Sequence, residues 1–201
     1  KKGKINVDFS SYLTLSKYTS KIDVLGSKDY AKALWKASIN SGINPNSNNL
    51  GIIYKDELGV QGNRELKNIW FPEYLDSEKT MKPANTDWFD EVTQTGMAQS
   101  HNLAVSNGTE KGNYFFSLGY YDNNGLVKNT NFNRISARIN TDYKLIDDIV
   151  TIGENFTLNR TSEVLQPYQI VEAALIAVPF IPVRTEDGSN WGGPIGGLPD
   201  R

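Results

Sequence analysis

The sequence predicts an all-β fold: an antiparallel segment of a transmembrane β-barrel, with long and partly helical loops leaving one end. Three observations carry that expectation. Strand-length segments alternate apolar and polar residues with a period of two. The links between them alternate between short and long. The longest apolar run, residues 170–183, is interrupted by Glu172, Pro179 and Pro182 and is too short for a membrane helix.

Residues 5–18 form the first strand. Ile5, Val7, Phe9, Leu13 and Leu15 share one face; Asn6, Asp8, Ser10, Thr14 and Ser16 share the other, with Tyr12 among them. Residues 19–98 lose this period and read as one large structured loop, since so long a stretch without clear strands does not suit a compact domain. Inside it, residues 30–41 read as a short helix with Ser27 as N-cap, ended by Gly42 and Pro45. Asparagine, glycine and serine fill residues 44–51, and residues 68–76 form an aromatic cluster without a period.

Strands resume at residues 99–107, 113–122, 132–145 and 149–161. Leu103 and Val105 share a face, as do Tyr114, Phe116, Leu118 and Tyr120 in the next strand. Residues 132–145 alternate most strictly: Ile135, Ala137, Ile139, Tyr143 and Leu145 oppose Arg134, Ser136, Arg138, Asn140, Asp142 and Lys144. Val150, Ile152, Phe156 and Leu158 then oppose Thr151, Gly153, Asn155, Thr157 and Asn159. The links are the tight 107–112, a turn signal at Asp122–Gly125 opening the loop 123–131, and the short 146–148. Residues 169–177 look helical, and a Pro/Gly-rich tail closes the loop 162–201.

Alternation alone fits a soluble β-sandwich, apolar faces inward, as well as a barrel with apolar faces toward lipid. Base rates favour the sandwich. Link lengths shift the balance, because all short links fall on one side and all long ones on the other, as in outer-membrane barrels. Glu154 runs against this, sharing a face with Ile152 and Phe156. It is expected near a membrane boundary or paired across strands.

Composition narrows the chemistry. A net charge of -2, with no basic run, excludes a nucleic-acid partner. The absence of cysteine excludes disulfides and thiolate metal sites, and the single histidine, His101, cannot build a histidine cluster. No cofactor is expected. The low mean hydropathy of -0.47 does not argue against a barrel, whose strands are apolar only at every second position. No apolar leader follows Lys1–Lys4, and the abrupt start and end read as an internal fragment.

Several ordered motifs resemble the SusC/RagA family, the TonB-dependent outer-membrane transporters of Bacteroidota. They are Thr86–Glu91 (TDWFDE), Gln99–Leu103 (QSHNL), Asn113–Tyr120 (NYFFSLGY), Asn124–Thr130 (NGLVKNT), Asn133–Asn140 (NRISARIN) and Ile152–Asn155 (IGEN). Val178–Val183 and Trp191–Pro194 extend the series. One departure is Ser106-Asn107-Gly108 where the family has Ser-Gly-Gly; asparagine tolerates the left-handed backbone such a turn needs.

The resemblance implies that residues 1–4 end a plug-to-barrel linker and that residues 5–201 supply about five strands of a roughly 22-stranded barrel. It implies TonB-dependent import of a bulky nutrient, an oligosaccharide or a peptide, across the bacterial outer membrane. The implied partners are a SusD-like surface lipoprotein, the TonB complex through segments outside these residues, and outer-membrane lipid. The alternative is a soluble β-rich carbohydrate-binding or adhesion module.

No catalytic set emerges, and no enzyme is expected. Asp87, Asp90 and Glu91 flank Trp88 but read more simply as polar loop residues. Asp122–Gly125 lacks the closing glutamate of a calcium loop, because Asn133 stands there. Trp70, Trp88 and Trp191, placed in loops, are the candidate substrate contacts, with loop packing as the competing role.

Overall fold

The computed structural model describes residues 3–146, 149–167 and 169–189. The chain divides into two units, Lys1–Lys21 with Val92–Ile170, and Ile22–Glu91 with Val171–Arg201.

The first unit is one antiparallel sheet. Its strands are β1 (Asn6–Ser16), then, after the second unit's β2 (Ile53–Leu58) and β3 (Arg64–Trp70), β4 (Gly96–Gly108), β5 (Gly112–Asn124), β6 (Asn131–Leu145) and β7 (Val150–Val164). They lie in the order β1-β4-β5-β6-β7, so each pairs with its neighbour in this unit's chain order. Residues 109–111 and the short link after Leu145 lie at one end of the sheet; residues 17–95 and 125–130 leave the other.

The turns differ from the expected ones. β4 runs through Asn107 to Gly108, and Asn107 is not among the residues with a left-handed backbone. The turn is closed instead by Thr109, whose amide donates to the Gly112 carbonyl at 2.8 Å and whose Oγ1 accepts from the Gly112 amide at 3.1 Å. A side-chain hydroxyl thus does the work that a left-handed residue would otherwise do. Asp122–Asn124 also belong to a strand, and the link is Gly125–Thr130, with Asn129 left-handed at φ 61°. There Thr130 Oγ1 donates to the Val127 carbonyl at 2.6 Å, and Thr93 bridges Val127. Asparagine-rich composition signals turns, but here Asn131 Nδ2 reaches Asp122 and Asn124 across the ladder, both at 3.1 Å.

The second unit holds the core. Ala31, Trp35, Ile52, Tyr54, Met81, Phe180 and Ile181 are buried together. Helix α1 (Ser27–Asn40) contributes through Ser27, Ala31 and Trp35, which recur every four residues and so lie on one face. Ser27 is the first helical residue and not the N-cap; Gly26 takes that place. The Ser27 amide is satisfied from a distance by Asn85 Oδ1 at 2.6 Å, and its hydroxyl donates to the Ala84 carbonyl at 2.7 Å. Phe180 packs against Tyr30 and Phe71, with ring centroids 6.1 and 5.6 Å away.

The stretch 19–98 is more than a loop with a helix. It contains the β2–β3 hairpin, whose register shifts between Lys55 and Asp56. That bulge, together with charged residues on both faces, erases the period-two signal. Asp56 accepts from Trp35 Nε1 at 2.9 Å and from Arg64 at 2.6 Å, so it ties the hairpin to α1. The Arg64 guanidinium first, and the Trp35 indole second, hold its carboxyl below the usual carboxylate range. Helices α2 (Trp88–Val92) and α3 (Ile170–Ile176) are short. No helix among the described residues is long and apolar enough to cross a membrane.

Candidate functional site: the two faces of the sheet

Directly paired residues of a sheet lie on the same face, so the registers decide how the strand faces combine. Val7, Val105, Phe116, Ile139 and Phe156 form one row across all five strands. Phe9, Leu103, Leu118, Ala137 and Leu158 form the next. All five apolar faces read from the sequence therefore fall on the same side. The other side carries rows such as Ser10, Asn102, Gly119, Ser136 and Asn159.

The apolar side is not packed. Ile135 is 51% exposed, Ile139 38%, Phe156 50% and Leu158 59%. A soluble sandwich would cover these side chains with a second sheet.

The apolar span also slides along the sheet. In β1 it continues past Phe9 through Leu13 and Leu15, whereas in β7 it ends level with Phe9, at Leu158, and runs the other way through Ile152 to Val150. A belt of constant height crossing tilted strands produces this drift. Glu154 lies inside the span and stands opposite Thr141, so a charge pair across β6 is absent.

Towards the long-link end, the apolar side becomes polar. His101 Nδ1 lies 2.8 Å from Ser11 Oγ, and its ring stacks on Tyr120 at 6.1 Å. Asn133 donates to the Tyr120 hydroxyl at 3.2 Å. This amphipathic fringe was hidden in the sequence, because its members are brought level only by the register.

The three candidate tryptophans are not drawn into one site. Trp70 ends β3 and is 45% exposed. Trp88 opens α2, packs against the core and donates its indole N–H to the Val178 carbonyl at 3.0 Å. It lines a cleft of about 340 Å3, beside Tyr30 and Pro179, that does not include Trp70. Trp191 lies outside the described residues. The carboxylates beside Trp88 also serve structure: Asp87 Oδ1 accepts from the Asp90 amide at 3.1 Å, an N-cap-like contact. Among the described residues no group of three or more metal-ligating side chains occurs.

Comparison with known proteins gives these features a context. No family model matches the chain. TonB-dependent receptor SusC of Bacteroides thetaiotaomicron is 36% identical over 72 residues, covering 36% of this chain and 7% of the receptor. TonB-dependent receptor P3 of Formosa agariphila is 40% identical over 60 residues, 30% of this chain and 6% of its own length. TonB-dependent receptor P26 of the same organism is 29% identical over 110 residues, 54% of this chain and 11% of the receptor. Two solved structures of RagAB, described as a peptide importer and a peptide transporter, align with 98% of this chain at a TM-score of 0.67 and 15% identity. They share its fold, and the alignment takes in 23% of their chain. The chain spans about a tenth or less of the length of these curated relatives. The motifs, the antiparallel sheet and these relatives agree: the chain is similar to a segment of SusC-like TonB-dependent receptors and shares the fold of the matching part of RagAB.

Proposed function

We propose that these residues form five adjacent strands of a closed outer-membrane barrel of about 22 strands, and that the whole protein imports a bulky nutrient in a TonB-dependent manner. The cargo is an oligosaccharide or a peptide, and a SusD-like lipoprotein covers the external mouth. The observation that carries the reading is the single apolar side shared by all five strands and left exposed. Lipid supplies the burial that the chain itself does not. Covering a Phe or Leu side chain of that side is worth about 1.5–3 kcal/mol. The drift of the apolar span supports tilted strands, and the names of the relatives support TonB-dependent uptake. Of the tryptophans, Trp70 carries the cargo-contact role furthest, since the Trp88 indole is engaged in packing.

Cysteine labelling in the full-length protein tests the placement. Ile139→Cys and Phe156→Cys should react with a lipid-confined probe, and Arg138→Cys and Thr157→Cys with a water-soluble one. The reverse pattern rejects the barrel. Nutrient uptake that persists after loss of TonB rejects the transport mechanism.

A further inference from the structure

We infer that the polar side of the sheet carries a binding track for carboxylate-bearing oligosaccharides, anchored by Arg134 and Arg138. The inference rests on the reading that this side lines the lumen.

Both arginines project from β6 on the polar side, with Ser136 between them, and both are exposed. Four residues of strand place them about 13 Å apart. Neither has an acidic residue opposite it. Arg138 stands between Ser117 and Thr157, and Arg134 between Tyr121 and Thr161. Glu163 is a row further along, opposite Phe132. Among the described residues, neither guanidinium has an ion-pair partner. The directly paired neighbours of both arginines in β5 and β7 are uncharged, while Asp142, Lys144 and Glu163 lie further along the same face; charges without a partner in such a setting are suited to an anion from outside.

The surroundings specify what kind of anion. The Arg134 guanidinium carbon lies 5.9 Å from the centre of the Tyr121 ring, which is itself 6.0 Å from Phe132. Aromatic faces of this kind accept the C–H face of a pyranose ring. Between the arginines the row is Asn102, Gly119, Ser136 and Asn159, a low floor of donors and acceptors suited to hydroxyl groups. Gly119 keeps it low, since a Cβ there would come within 3.0 Å of Asn102 Oδ1. Beyond Arg138, Phe115 and Asn140 line a cavity of about 780 Å3 together with the charged Lys4 and Asp142. Asn140 Oδ1 is buried without a hydrogen-bond partner, an acceptor left for a ligand or water. The planar guanidinium takes a carboxylate through two parallel hydrogen bonds, which fixes orientation as well as charge.

Two other occupants fit less well. A protein surface would seek apolar anchors, and serine is depleted in the centre of such interfaces. An extended peptide is captured by adding to a sheet edge. β6 is interior, with both edges already paired.

Titration calorimetry on the full-length receptor tests this with three probes: tetragalacturonate, the neutral galactose tetrasaccharide and tetraglutamate. Wild type should bind the acidic sugar more tightly than the neutral one, and added salt should shrink the difference. Arg134→Gln with Arg138→Gln should weaken the acidic sugar by about tenfold or more and leave the neutral sugar unchanged. Lys at both positions should restore part of the loss. An acid-to-neutral difference that is absent or insensitive to salt overturns the inference, as does unchanged affinity in the double variant, or tetraglutamate binding as tightly as the acidic sugar. The wild-type salt series stands by itself if the double variant does not assemble. TonB-dependent uptake by the wild type, measured in cells with its native nutrient mixture, separates the two readings. Uptake without acid selectivity removes the track and leaves the transporter; no uptake removes the transporter.

Discussion

Phe180 and Phe156 are the same side chain in opposite circumstances. Phe180 is fully buried among Tyr30, Phe71 and the rest of the second unit's core, and Phe156 is half exposed on the sheet. The second unit gathers its apolar residues from positions far apart in the chain, Ala31, Ile52, Met81 and Phe180, into a core of its own. The sheet gathers none of its large apolar residues into a buried core. Its strands depend on their ladders and on the medium around them. One unit therefore buries its apolar side chains in a core of its own and the other leaves them exposed, although both share one chain.

Truncating Phe180 should have the largest effect. Phe180→Ala should cost the second unit about 3–5 kcal/mol, because it empties a packed site. Hydrogen exchange of the α1 amides would report the loss. Exchange rates as in the wild type would mean that the unit does not rely on its own core.

Charge placed on the sheet gives the next effect. Leu118→Arg, between Leu103 and Ala137, should destabilise the assembled barrel by about 2–4 kcal/mol near mid-membrane. Ser117→Arg, one residue away on the polar side, should cost far less. Folding into lipid bilayers, followed by the heat-sensitive mobility of the barrel in gels, compares the two. Equal effects would remove the distinction between the sides.

The weakest of these contributions comes from Asp56 in the second unit. Asp56 ties β2 to α1 and to Arg64, and its carboxyl is held below its ordinary range. A depressed carboxylate stabilises the folded form above its unfolded pKa, near 3.9. That contribution disappears as the pH falls through the folded value. Asp56→Asn should therefore remove about 1–2 kcal/mol near neutrality and nothing at the acid end, where the wild type has already lost it. Proteolysis rates of the hairpin at the two pH values would show it, and an equal loss at both would sink the assignment.

What was legible in the sequence follows from the same contrast. A strand with two different environments writes its burial as alternation, and Ile135 through Leu145 show it plainly. The registers that align those faces follow from short turns, at Thr109–Lys111 above all. The second unit was harder to read. Its hairpin contains a bulge, its core is nonperiodic, and its first helix is capped by Asn85, 58 residues beyond Ser27. Gly59 and Gly62, inside the five-residue connection 59–63, are a local signal for the hairpin. At the candidate site, the tryptophans drew attention through their size, but the arginines of β6 stand out only once the register shows what faces them.

The alignment of five faces across the registers also sets which changes of length the gene can tolerate. Adding one codon inside β5 would turn every later residue of that strand to the opposite side, sending Leu118 and Tyr120 to the polar face unless a bulge absorbed the step. Two codons would restore the parity. The links at Gly125–Thr130 and Lys17–Thr95 have no such arithmetic. Length changes at that end of the sheet therefore leave the strand faces as they are, whereas within the strands only substitution does.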